Sequence, residues 1–341
     1  MVERIKWLDF AKGVAIILVV LGHVLKSDSD LYKLIFVFHM PFFFVTAGFL
    51  LNLDKWGGDK NFRPFAAKLF KRLIVPYYVA ELLWYPIWLV VCREGGHLGH
   101  LWHWCEIEPL NALSAIFIGN GNNTGLILEQ LWFLPALLCA EIIFIKLYNR
   151  LNKIGVEIFV FAVVTATSLG FNLKPLSLPL GLDIALAAQI FLLAGVLIRR
   201  YNVVERLSPK NCGVLTLIVI VAFEFNERVD MNFRVYGNAL LFYAGGLSGT
   251  LLLMKISALM TCGRIFSLIS SCGRQSMMIL VLHLVVANTL FEIIDTCTEI
   301  ATEEFFTEPT IIFAVTATSV LIPLKIAERL GKLPVLKYFC A

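Results

Sequence analysis

Three ionisable residues share the first apolar stretch, LDFAKGVAIILVVLGH: Asp9, Lys12 and His23. An imidazole titrates near neutrality and moves protons in either direction, as a general base, a general acid or one station of a proton path. A lysine is a point charge suited to an anionic ligand. Lys12 and His23 are eleven residues apart. On an α-helix that spacing returns to within about 20° of the same face and separates the two groups by roughly 16 Å. Asp9 lies one turn before Lys12 and is expected to pair with it, offsetting the cost of an ammonium group in apolar surroundings.

Similar oddities recur along the chain. The run LIFVFHMPFFFVTAGFL carries His39 and Pro41, and the proline is expected to kink the helix and open a polar notch beside the imidazole. Entering from the opposite side, it would bring His39 to the depth of His23. His283 stands alone in SMMILVLHLVV. Its bland reading is a structural hydrogen bond between helices; its functional reading is a contact to substrate. Glu129, Gln130 and Trp132 mark the start of LILEQLWFLPALL, where Glu129 can orient or compensate an imidazolium and Trp132 offers an aromatic face of the kind that packs on a sugar ring. The segment RPFAAKLFKRLIVPYY gathers Arg63, Lys68, Lys71 and Arg72. This cluster is either ordinary charge at the cytoplasmic face, with contacts to anionic lipid heads, or a receiver for a phosphorylated donor, with Arg72 suited to bidentate phosphate contacts.

The elements that must position these residues are membrane helices. Of 341 residues, 59% are hydrophobic and only 16% charged. A soluble domain carries nearer about 25% charge, so a disulfide scaffold, a disordered chain and a nucleic-acid-binding domain are excluded as good readings. Apolar runs near 8 to 25, 34 to 53, 73 to 92, 129 to 146, 155 to 171, 181 to 198, 213 to 226, 237 to 254, 275 to 291 and 309 to 325 predict an all-α, polytopic membrane bundle of about ten transmembrane helices. An even count puts both termini on one side. That side then collects 23 of the 29 lysines and arginines, which makes it cytoplasmic. No small-residue cleavage site follows the first run, so it is expected to stay as an anchor.

Nothing else in the chain suggests separate chemistry. His97, His100 and His103 recur near Cys92 and Cys105, but without standard zinc spacing, and they read as an interfacial segment with Trp102 and Trp104. No metal is expected. A Cys92–Cys105 disulfide on the oxidising side is the alternative use of the two cysteines. The acidic stretch EIIDTCTEIATEEFFTEP reads as a solvated loop. No phosphate-binding or dinucleotide-binding pattern stands in a strand context, so residues 1–341 read as a single integral-membrane domain.

The segment LDFAKGVAIILVVLGH followed by FHMPFFFVTAGFL closely resembles the opening of the membrane acyltransferase-3 family, which includes fucose 4-O-acetylase-like and other polysaccharide O-acetyltransferases. The resemblance continues through KLFKRLIVPYY, LWFLPAL and SMMILVLH. It implies that acetyl-CoA or another acyl-CoA binds from the cytoplasm with its phosphates near Lys12, Lys68, Lys71 and Arg72. It also implies that His23 acts as general base on a carbohydrate hydroxyl. On the reading of the residues themselves, His39 holds the acceptor or shares protons with His23, Glu129 assists, and Trp132 and His283 stand on the acceptor side. Where the family usually has an arginine about three turns before the histidine, this chain has Lys12, which keeps the charge and gives up the bidentate fork. The family's pair of arginines separated by two residues is met here only approximately, by Lys68 and Lys71 with Arg72 beside them. The family expectation for the membrane is the bacterial inner membrane.

Two readings from other classes stay open at this level. Intramembrane Asp, Lys and His also suit a secondary transporter of a small polar solute, and polar residues that only fix helix packing suit a noncatalytic scaffold. The acceptor sugar, the acyl length and protein partners are not written in the sequence.

Overall fold

The computed structural model describes residues 4–94, 107–121, 125–150, 155, 177–260, 262–297, 305–330 and 339. Among them the regular structure is helical, apart from one isolated bridge between Asp230 and Val235. The main helices are α1 (Lys6–Val24), α2 (Asp30–Leu50), α3 (Phe62–Leu69), α4 (Val75–Glu94), α5 (Pro109–Ile118), α6 (Phe133–Arg150), α7 (Leu182–Ala187), α8 (Gln189–Arg200), α9 (Pro209–Phe225), α10 (Ala239–Leu259), α11 (Arg264–Arg274), α12 (Ser276–Cys297) and α13 (Pro309–Leu330). Their ends follow local rules. α9 starts with a capping box of Ser208 and Asn211 and a proline in its first turn. α5 stops at Gly119, whose φ of 64° suits the left-handed cap.

Seven of the described helices are long and apolar enough to cross a membrane, or up to eight when the bent pair formed by Pro179–Ala187 and Gln189–Arg200 counts as one span. This establishes an integral membrane protein. It also accounts for where ten spans were expected. The stretch 155 to 171 lies outside the described residues apart from residue 155, and the stretch 213 to 226 lies in the 17-residue α9. The segment holding His97, His100, His103 and Cys105, and the side chain of Cys92, are likewise outside them. The supposed acidic loop is corrected in part: α12 continues through Glu292 to Cys297, with Glu292 buried. The apolar stripe Ala287, Phe291 and Ile294 runs on beyond Glu292, which keeps this part of the acidic stretch helical.

The chain divides into two compact units. The first comprises Met1–Ile35, Pro76–Leu131 and Met260–Ala341. Within it α1 packs on α11, α12 and α13, and α12 packs on α13. The α1–α11 crossing is at backbone contact: a Cβ on Gly13 would stand 1.9 Å from the Ile269 carbonyl oxygen, and one on Gly273 would stand 1.8 Å from that of Asp9. Phe10 stacks on Phe266 beside it. Farther along, Val24 packs with Ala287, Phe291, Phe305 and Val315, which sets the register of α1 against α12.

The second unit comprises Phe36–Val75 and Trp132–Leu259. There α6 packs on α3, α7 and α8, and α9 packs on α10. α3 runs into a single π-helical segment, Phe70–Ile74, before α4. Such bulges re-aim the side chains that follow them. A loop between α9 and α10 is tied by its own polar groups: Asn226 Nδ2 donates to the Tyr236 carbonyl at 3.2 Å, and Arg234 makes a two-point contact to Asp183 at 2.7 and 3.3 Å.

Candidate active site

In the first unit, α1 is continuous from Lys6 to Val24, so the helical spacing of Lys12 and His23 holds. Asp9 pairs with Lys12 as expected, with Oδ1 3.9 Å from Nζ, and accepts a closer bond from Arg4 Nε at 2.6 Å. Arg4 was no part of the expected pair. Between Lys12 and His23 on the same face stand Ile16 and Val19, both buried. α1 alone therefore offers no open groove joining the two groups. Lys12 is partly buried, whereas His23 is exposed.

The register set by Val24 against Ala287 brings His23 beside His283, one helical turn earlier on α12, with ring centres 5.2 Å apart and planes tilted by 43°. His283 is fully enclosed. Its Nδ1 lies 3.0 Å from the Ile279 carbonyl oxygen and 2.9 Å from that of Leu280. Carbonyl oxygens only accept, so Nδ1 carries the proton and Nε2 carries the lone pair. That Nε2 is buried without a hydrogen-bond partner. Its enclosure leaves no surface for the acceptor contact expected of His283.

The turn Glu129–Trp132 reaches the same helix. Gln130 Nε2 donates to the Val281 carbonyl at 3.2 Å, two residues before His283. No periodicity reveals a bond across 151 positions of sequence, so the part of Gln130 is visible only in the fold. Glu129 itself is half-buried on that turn. Glu81, unassigned from the sequence, is fully buried on α4, with Oε2 3.5 Å from the Leu128 amide nitrogen. Its signal was legible: an acid inside an apolar span is by default a candidate for function.

In the second unit, His39 is buried on α2 with its ring 4.4 Å from that of Phe36, one turn earlier. α2 runs unbroken through Pro41, and the notch expected there is filled by α10: a Cβ on Gly246 would come within 2.9 Å of Pro41 Cγ. Trp132 is buried edge-on to Phe133, with ring centres 6.0 Å apart. The basic cluster is partly anchored. Lys68 holds its ammonium 5.4 Å from the centre of the Trp56 ring, Lys71 is exposed, and Arg72 Nη2 donates to Glu141 Oε1. Glu141 lies on α6 with 3% of its side chain exposed, against 46% for Arg72. The carboxylate thus fixes one edge of the guanidinium and leaves the rest in the open. Glu141 is likewise an acid inside an apolar span, and its partner sits 69 residues away.

No group of three or more metal-ligating side chains exists among the described residues. One unit holds paired imidazoles on packed helices, and the other holds a lysine–arginine cluster at a helix bulge. These features define a polytopic membrane protein with imidazoles and carboxylates on its apolar helices. The acyltransferase-domain family Acyl_transf_3 matches residues 5–328, which is nearly the whole chain, and the protein belongs to that family. Neither a curated protein nor a solved structure matches it.

Proposed function

We propose that the protein is an O-acyltransferase, most simply an O-acetyltransferase, that moves an acyl group from a cytoplasmic acyl-CoA to a sugar hydroxyl on an extracytoplasmic glycan or lipid-linked carbohydrate. Its termini are then cytoplasmic and its place is the bacterial inner membrane. The observation that carries the reading is His23 itself, an exposed imidazole at the end of a packed helix in a chain of acyltransferase family. His23 takes the proton of the acceptor hydroxyl as the oxygen attacks the thioester carbonyl, the C–S bond breaks, and the proton passes to the departing thiolate. In the second unit Lys68, Lys71 and Arg72 are the residues for the phosphates of the donor, with Arg72 presenting the guanidinium edge that Glu141 leaves open; in the first, Lys12 is a further cation for an anion of that class. His39 and Glu129 assist proton movement, and Trp132 serves the acceptor side by a change of exposure.

The buried Ile16 and Val19 require the thioester arm to reach His23 by a path other than a groove along α1. The test is label transfer from radiolabelled acetyl-CoA to membrane glycans, scored by mass spectrometry for the added acyl group. His23→Ala is expected to abolish transfer while the protein still inserts. Near-normal turnover in that variant rejects the assignment of the base, and solute uptake without any label transfer rejects the enzyme reading.

A further inference from the structure

A neutral imidazole has two tautomers, and only one places the lone pair where an acceptor hydroxyl can use it. Something must choose between them at His23. His283 has the properties of that chooser. Its ring is clamped through Nδ1–H on the carbonyl oxygens of Ile279 and Leu280, and the next carbonyl, that of Val281, is held by Gln130. Three successive carbonyls of α12 are thereby occupied around one ring. Two polar atoms of this arrangement are left without a partner, Gln130 Oε1 and His283 Nε2, and the second is the acceptor of the ring itself.

An enclosed acceptor without a donor is costly, so a donor is expected to come to it. Among the described residues the nearest imidazole is that of His23, and a centre-to-centre distance of 5.2 Å leaves facing ring nitrogens within hydrogen-bond reach, about 3 Å. The exposed His23 ring is the member of the pair with room to turn. We propose that His283 is the positioning residue of His23: its Nε2 accepts the N–H of His23 and fixes the lone pair on the other nitrogen, toward the acceptor hydroxyl. This rests on the acyl-transfer reading above. In the reaction the hydroxyl proton moves to the free nitrogen of His23, the new imidazolium stays bonded to His283 through its original N–H, and the same proton leaves with the CoA thiolate. His283 gains and loses no proton. It strengthens its bond as His23 becomes charged, because charge-assisted hydrogen bonds are the stronger class.

Two substitutions separate the two nitrogens of His283. Gln reaches the position of Nε2 and supplies an acceptor there, whereas Asn reaches only the position of Nδ1 and supplies a donor to the α12 carbonyls. In full-length protein reconstituted in lipid, His283→Gln is expected to keep kcat within a few-fold, and His283→Asn to lose at least about 100-fold in kcat with KM for acetyl-CoA unchanged. A second readout needs no turnover: ¹⁵N shifts of the labelled histidines. The wild type is expected to show His283 in the Nδ1–H form and His23 as a single neutral tautomer, and His283→Asn to show His23 as a mixture. Equal activity of the Asn and Gln variants, or a mixed His23 tautomer in the wild type, overturns the proposal. Loss of transfer in His23→Ala alongside either result leaves the acyl-transfer reading standing. Retained transfer in His23→Ala rejects His23 as the base and with it the catalytic role of the pair, whereas no label transfer by the wild type rejects the acyl-transfer reading even where His23 shows a single tautomer.

Discussion

The ion pair of Arg72 and Glu141 is asymmetric, and the asymmetry makes a quantitative forecast. Glu141 exposes 3% of its side chain and Arg72 exposes 46%. Replacing Arg72 by Ala strands a carboxylate inside the protein, and breaking a buried pair in that sense costs about 3–5 kcal/mol. Replacing Glu141 by Leu leaves a guanidinium that already meets solvent, and the cost falls to that of an exposed pair, about 0–1 kcal/mol. In the double variant Arg72→Ala, Glu141→Leu the stranded charge is gone, so stability is expected within about 1 kcal/mol of the wild type. Unfolding in mixed micelles measures all four corners of the cycle. The double variant then isolates function from folding. If Arg72 holds a donor phosphate, the folded double variant still shows KM for acyl-CoA raised about 10- to 100-fold, the equivalent of one charge-assisted contact of about 1.5–3 kcal/mol. Equal destabilisation by the two single changes, or a double variant as unstable as Arg72→Ala, refutes the reasoning.

Two further outcomes follow from the packing and the loop. Gly13→Ala and Gly273→Ala each force a methyl group into a backbone carbonyl at under 2 Å, so each is expected to cost at least about 1–3 kcal/mol. Both push the same crossing apart, so their double variant is expected to cost less than the sum, which thermal unfolding in detergent checks. In the loop between α9 and α10, burial raises the pKa of Asp230 above 3.8, against the lowering influence of the Phe233 amide, Arg228 and the Asn232 amide. The folded loop therefore binds a proton that the unfolded chain releases, and its stability falls as pH rises from the unfolded value through the folded one. Hydrogen exchange of residues 226 to 238 is expected to quicken over that window in the wild type and to lose the trend in Asp230→Asn.

The sequence by itself determined the membrane class, the placement of most spans and the acyltransferase family, because each depends on local composition or on motifs read along one strand of chain. Runs of apolar residues about as long as the bilayer is thick need no tertiary information to be recognised. The Asp9–Lys12 pair was legible for the same reason, since its partners lie one helical turn apart. The amphipathic α11 was not legible as a packing partner of α1: its role depends on Gly13 and Gly273 meeting across a crossing, and the chain between them gives no sign of it. Only the fold joined His23 to His283 and Arg72 to Glu141, whose separations along the chain far exceed any helical or strand period. It also filled the notch beside Pro41 with α10 and buried Trp132, because the space next to a side chain is set by whichever helix arrives there. Residue type stated which groups were costly to bury; the packing of distant helices decided which group answers each one.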